Sequence, residues 1–193
     1  MRKLIAGFKV SLDGKIEGAQ GFADWVDAWS EDYGLTDAID ACLIGAGMYP
    51  GYEGYWSAMQ AAPDTPLPMT GKLPTAKELE WARFAAKTPH YVLSTTLKEK
   101  QWANTTFLRS TDEVAALKNM PGKEIYLMGG GRLAASLLDA GLMDEFRLIV
   151  HPILAGEGKA LFGTLKQRHA LVLKEQRLLG EGRLALMYSC PHH

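Results

Sequence analysis

The stretch EIYLMGGGRLAASLLDAGLMDEFRLIVHPIL, residues 124–154, constrains the chain more than any other segment. It runs from an apolar strand pattern through three consecutive glycines into a helix pattern closed by Gly141, and then into a second apolar strand. Glycines at such a turn permit positive φ and leave room that side chains would fill, while a helix start offers unpaired N–H donors and a positive dipole end. That combination suits a pyrophosphate. Gly129, Gly131 and Ala134 also fit G-x-G-x-x-A, but the pattern comes late in the chain and the following strand, DEFRLIVHP, has no carboxylate at its C-terminal end for a ribose hydroxyl. The plainer alternative is a tight strand-to-helix turn with close packing. LAGEGKALF (154–162) is no phosphate loop, because Ile153 and Ala160 stand where that motif needs Gly and Ser or Thr.

The rest of the chain places this unit in a larger alternation. KLIAGFKV (3–10) is apolar on both faces, as an interior strand is. A Gly-rich loop follows, helical spacing returns around DAWSEDYGLTDAIDA, and ACLIGAG (41–47) reads as a short buried strand. YPGYEGYWSAMQAAPDTPLPMTGKLP holds five prolines and reads as mostly irregular, with a Pro-rich insertion around 57–74. TAKELEWARFAAKT (75–88) opens on Thr75 with Glu78 three residues on, a capping-box pattern. HYVLST and TTFLRS read as strands, STDEVAALKNM as a helix capped near Ser110 or Thr111, and HALVLKEQRLL and GRLALMYSC as strands joined at GEG in a hairpin. Alternation followed by terminal antiparallel strands predicts a three-layer α/β/α fold around a mixed, mostly parallel sheet. At 193 residues, one domain over 1–193 is expected.

Composition narrows the partners. The 21 basic and 22 acidic residues are dispersed, without a basic stripe for nucleic acid, and no apolar run reaches a membrane span. Lys9, Ser11 and Asp13 interrupt the first apolar run, so a cytoplasmic protein is expected. Cys42 and Cys190 suggest no disulfide framework, and no spacing of His and Cys suggests a metal site.

Four segments together, VSLDGKI, DACLIGAGMY, YVLSTT and IYLMGGGRLAASLLDAGLMDEFRLIVHPILAGEGKALF, resemble the dihydrofolate reductase-like superfamily. Within it they look closest to the reductase domain of the bifunctional deaminase/reductase of riboflavin biosynthesis and its stand-alone relatives. The resemblance implies an NADPH-dependent reductase of a small heterocycle, most like 5-amino-6-(5-phosphoribosylamino)uracil reductase. It further implies that Val10 approaches the nicotinamide and that Gly45, Ala46, Gly47 and Met48 turn beside the phosphates. Leu93, Ser94, Thr95 and Thr96 would face the adenosine end, and Gly129, Gly130, Gly131, Arg132 and Leu133 would hold the pyrophosphate. A homodimer is expected from the same resemblance and from the strand-rich C-terminus.

Departures from the pattern keep alternatives open. Ala46 and Met48 stand where relatives carry Arg and Thr, leaving Lys98, Lys100, Arg109 or Arg132 to meet a 2′-phosphate. Met128 replaces the riboflavin reductase's acidic residue, and its phosphate-holding arginines have no counterpart. Dihydrofolate reductase and a non-catalytic NADP-binding sensor remain the other readings. For proton supply Asp13, in the covering loop, and Asp32, expected on a helix beside the substrate, are the candidates. Trp25 and Tyr52 are the candidate surfaces for a flat ring.

Overall fold

A computed structural model describes residues 1–26, 33–67, 71–100 and 102–191. Among them the strands are β1 (Leu4–Ser11), β2 (Ile39–Gly45), β3 (His90–Leu93), β4 (Thr105–Leu108), β5 (Glu124–Leu127), β6 (Glu145–His151), β7 (Val172–Leu178) and β8 (Leu184–Ser189). The helices are α1 (Tyr49–Ala61), α2 (Ala76–Ala85), α3 (Thr111–Asn119) and α4 (Gly131–Asp139). One sheet holds all these strands in the order β4-β3-β2-β5-β1-β6-β8-β7. Pairing is parallel from β4 through β6, and β8 runs antiparallel to both β6 and β7. The short 180–182 turn can only return the chain antiparallel, whereas the parallel strands need the longer crossovers that the helices provide.

Strand alternation divides the core in two. Leu4, Ala6, Phe8 and Val10 of β1 pack with Ile125 and Leu127 against Val114 and Leu117 of α3 and Leu137 of α4. The opposite face carries Ile5, Cys42 and Tyr126, covered by Trp56 and Met59 of α1 and Trp81 of α2. Every residue of β1 is buried, Lys9 and Ser11 included, as in a strand covered on both faces. Cys42 and Cys190 are free thiols and buried.

Two expectations need correction. The stretch expected to be mostly irregular contains α1, whose buried Tyr49, Glu53, Trp56 and Met59 recur at helical spacing. Pro50 falls in the first turn, where a missing N–H costs no helical bond, so it starts this helix rather than breaking it. Of the helical spacing expected around 27–41, residues 27–32 lie outside the described ones, and over 33–41 the chain forms a 3₁₀ turn, Thr36–Ala38, before Ile39 opens β2. The capping box of α2 forms as expected: the Thr75 hydroxyl accepts from the Glu78 amide, and the Glu78 carboxylate accepts from the Thr75 amide at 2.9 Å. No described helix is long and apolar enough to cross a membrane, and no described group of His, Cys, Asp and Glu could hold a metal.

Candidate active site

Because β3, β2, β5 and β1 are parallel neighbours, their C-terminal ends lie along one edge of the sheet. The segments that leave them, around residues 12–18, 46–48, 94–97 and 128–130, therefore converge where open α/β sheets bind ligands. Contacts tie them together. The three glycines of the opening motif turn out to answer three different demands. A Cβ on Gly129 would lie 2.7 Å from the Met48 sulfur, and its φ is +137°. A Cβ on Gly131 would lie 2.6 Å from the Leu161 carbonyl oxygen and 3.1 Å from Ile16 Cδ1, so part of what sits against this bare backbone is the chain itself. Gly130 alone keeps open space: φ is +89° and the nearest atom to a Cβ would be Leu133 Cβ at 3.7 Å.

Gly130 is also the N-cap of α4, without a side-chain cap. The Ala134 amide is the first to donate into the helix, to Gly130 O at 3.0 Å, so the amides of Gly131, Arg132 and Leu133 precede the helical ladder. Across the turn, a Cβ on Gly47 would meet nothing within 4 Å.

The loop after β1 is clipped shut against residues 153–161. Leu12 N donates to Ile153 O at 2.8 Å, Ile16 N to Lys159 O at 2.9 Å and Leu161 N to Gly14 O at 3.0 Å. Lys159 Nζ pairs with Glu17 at 2.7 Å. Asp13 is the latch: its carboxylate accepts from Ser11 Oγ at 2.6 Å, Ala155 N at 3.0 Å and Gly156 N at 2.8 Å. The Ser11 hydroxyl and these amides hold its carboxyl down at about 2. With its oxygens engaged by Ser11, Ala155 and Gly156, Asp13 holds the loop after β1 against residues 155–156.

Beside the glycine turn, on the α1/α2 face, opens a cavity of about 440 Å³. Gly7 and Lys9 of β1 and Tyr126 of β5 line its base; Tyr52, Tyr55 and Trp56 of α1 and Trp81 of α2 form a wall. Gly47, Met48, Gly129 and Gly130 complete it on the turn side, and Glu17 and Phe22 on the covering-loop side. Gly7 is glycine because a Cβ there would lie 2.7 Å from the Tyr126 hydroxyl and 2.8 Å from the Tyr33 ring. The rings brace one another edge to face, Tyr55 on Trp56 at 4.9 Å and Trp81 on Tyr126 at 5.8 Å.

Behind this wall the polar groups are paired. His90 Nδ1–H donates to Thr88 O at 2.7 Å, leaving Nε2 to accept from the Tyr52 hydroxyl at 3.3 Å. Burial pushes the imidazole down to about 4, so it is neutral at physiological pH. Tyr55 donates to Glu78 at 3.3 Å; burial, then the Glu78 charge, raises its phenol. Burial likewise raises Tyr52, so both phenols keep their protons.

The residues expected to meet a cofactor divide into groups. Gly47, Met48, Gly129 and Gly130 share the cavity wall. Gly45, Gly131 and Leu133 pack behind the turn, Arg132 is exposed, and Ala46 is half-buried in the turn after β2. Val10 points into the α3/α4 core, and Leu93 packs against the same core. Ser94 is buried, its hydroxyl accepting from the amides of Thr96 at 3.2 Å and Leu97 at 2.9 Å, while Thr95 and Thr96 are exposed. Tyr52 lines the cavity; Trp25 is not among its described lining residues but packs toward the turn at Gly18. Asp32 lies outside the described residues. Sequence reasoning missed Lys9, Tyr126 and Trp81, which only the strand register and the α2 packing bring together.

A model of the RibD C-terminal domain family matches residues 2–185. The chain is 36% identical over 194 residues to YyaP of Bacillus subtilis (strain 168), an uncharacterized protein, covering 97% of this chain and 94% of that one. Among solved structures it is similar to a diaminohydroxyphosphoribosylaminopyrimidine deaminase/5-amino-6-(5-phosphoribosylamino)uracil reductase from Thermotoga maritima. There the TM-score is 0.63 and the identity 13%, over 98% of this chain and 57% of that one. It is also similar to the dihydrofolate reductase of Enterococcus faecalis complexed with NADP(H), with TM-score 0.58 and 16% identity over 97% and 96% of the two chains. At these identities the structural likenesses speak for the fold.

Proposed function

The chain belongs to the RibD C-terminal domain family, and from that premise we propose that it is an NADPH-dependent reductase of a small heterocyclic substrate. The observation that carries the reading is continuity: Gly47, Gly129 and Gly130 belong to the same cavity as Tyr126 and Trp56, so a phosphate-suited turn opens into a ring-suited pocket. The residues present fit a dinucleotide. The amides at the start of α4, with the open space at Gly47 and Gly130, would hold the pyrophosphate. Thr95 and Thr96 would lie on the adenosine side. Of the four cations proposed for a 2′-phosphate, Lys100 is turned inward to Thr105 O at 2.6 Å, and Arg109 donates to the carbonyls of Ser94 and Leu97. Exposed Lys98 and Arg132 fit that role better.

When bound, the nicotinamide supplies the hydride. The chain supplies the surroundings. Aromatic walls exclude water and orient a flat ring, and Lys9 lies on the base of the cavity. Asp32 is the proposed proton donor, since Asp13 is committed to its latch.

Differential scanning with NADPH and NADH tests the reading. At about 100 times its dissociation constant NADPH should add about 2.7 kcal/mol of stability, with NADH adding less. No shift with either nucleotide would falsify it. Binding without oxidation against any pyrimidine or pteridine acceptor would favour a sensor, and robust dihydrofolate turnover a dihydrofolate reductase.

A further inference from the structure

We propose that the cavity takes an unphosphorylated, uncharged, planar conjugated ring and discriminates against the same kind of ring carrying a phosphoribosyl arm. The proposal rests on the reductase reading and specifies its substrate class.

The wall chemistry carries it. Tyr55, Trp56, Trp81 and Tyr126 surround the cavity with ring edges and faces, and Met48 and Met128 add polarizable thioethers. These surfaces reward a flat π-system. Against them the described lining residues contribute two charged side chains, Lys9 and Glu17, and Glu17 is paired with Lys159 at 2.7 Å. Lys9 is 8% exposed and rises from the strand at the base of the cavity. A phosphate dianion is ordinarily gripped by several cations or by a guanidinium fork, and one ammonium under aromatic walls is a poor substitute.

The nearest described cations beyond the lining are already engaged, Lys159 with Glu17 at 2.7 Å and Arg147 with the Tyr33 carbonyl at 2.8 Å. Residues 27–32, 68–70 and 101, outside the described ones, contain no Lys or Arg. The amide donors at the starts of α1 and α4 flank the glycine turns, where the reductase reading places the cofactor's own phosphates. Desolvating a phosphoribosyl arm in this cavity would therefore go largely uncompensated. A neutral ring gives up little hydration and gains the stacking surface.

Isothermal titration of the full chain, with and without NADP⁺, compares two probes. One is lumazine, a bare pteridine-dione; the other is 5-amino-6-(5-phosphoribosylamino)uracil. Lumazine should bind at least about tenfold more tightly, one ion-pair-sized difference. Equal or tighter binding of the phosphorylated probe overturns the proposal, as does failure of lumazine to bind. Tyr55→Ala should weaken lumazine about fivefold, the scale of one aromatic contact, and unchanged affinity would place the ring elsewhere and overturn it too. The melting shift with NADPH alone involves no ring. Its absence with lumazine binding intact sinks the reductase reading and leaves the ring class standing; its presence with a preference for the phosphorylated probe sinks only the ring class.

Discussion

Gly131 and Gly47 stand a few residues from the same turn and should respond to substitution in opposite ways. Gly131→Ala drives a Cβ into the Leu161 carbonyl, 2.6 Å away, so it should lower the melting temperature even without nucleotide. A Cβ on Gly47 meets nothing of the protein within 4 Å, so for Gly47→Leu stability should stay within about 0.5 kcal/mol while NADPH affinity falls tenfold or more. Calorimetry with nucleotide titration reads both quantities. Asp13 gives a second contrast. Its folded carboxyl, at about 2, lies below the ordinary value, so its latch is intact above roughly pH 4 and is lost as pH falls through 2. Asp13→Asn should speed hydrogen exchange at the Ala155 and Gly156 amides at neutral pH; unchanged exchange would show that the clip does not depend on the carboxylate. His90 loses its contribution in the same direction, on acidification, but nearer neutrality. Its pKa is pushed down to about 4 from 6.5, so its contribution is complete above pH 6.5 and is lost towards pH 4 as the unfolded chain takes the proton, by up to about 3 kcal/mol. Urea unfolding of His90→Gln should show a shallower loss than the parent over that window. The glycine turn is legible in sequence because strand, glycines and helix are contiguous. The ring pocket is not, because Gly7 makes sense only once β1 is known to lie beside β5 and Tyr126 to reach across it.

Helix α2 shows what a local signal can secure. Its Thr75–Glu78 box is complete within four residues, and Thr75→Ala should cost about 1 kcal/mol in urea unfolding while leaving NADPH affinity unchanged. Helix α4 is legible for the same reason, since its start at Gly131 and the positive φ of Gly141 after its end are both written locally. Helix α1 is not. Pro50, Gly51 and Gly54 carry the composition of a loop, and what makes the segment helical is burial of Tyr49, Trp56 and Met59 against surfaces contributed by distant strands. The 3₁₀ turn at Thr36–Ala38 reflects the opposite competition: Ile39 is claimed by pairing with β5 directly after it.

At the scale of the molecule, the sheet ends in β7, exposed at every residue, with Leu173 46% and Leu178 77% accessible. An exposed edge strand carrying Val172, Leu173 and Leu178 should pair about a two-fold axis, and light scattering at micromolar concentration should report a dimer. A monomer there would contradict it. The central position of β1 has its own consequence. Its two neighbours are β5 and β6, so Leu4 pairs with Ile125 and Ile5 with Glu145. A ribosome that has made residues 1–120 has therefore produced an apolar strand, LIAGFKVS, with neither of its partners. The nascent chain must wait with both edges of that strand bare, a state that invites aggregation and engagement by chaperones. A fragment ending at residue 120 should accordingly lack cooperative thermal unfolding, whereas one ending at residue 153 already contains both neighbours of β1 and should recover part of it.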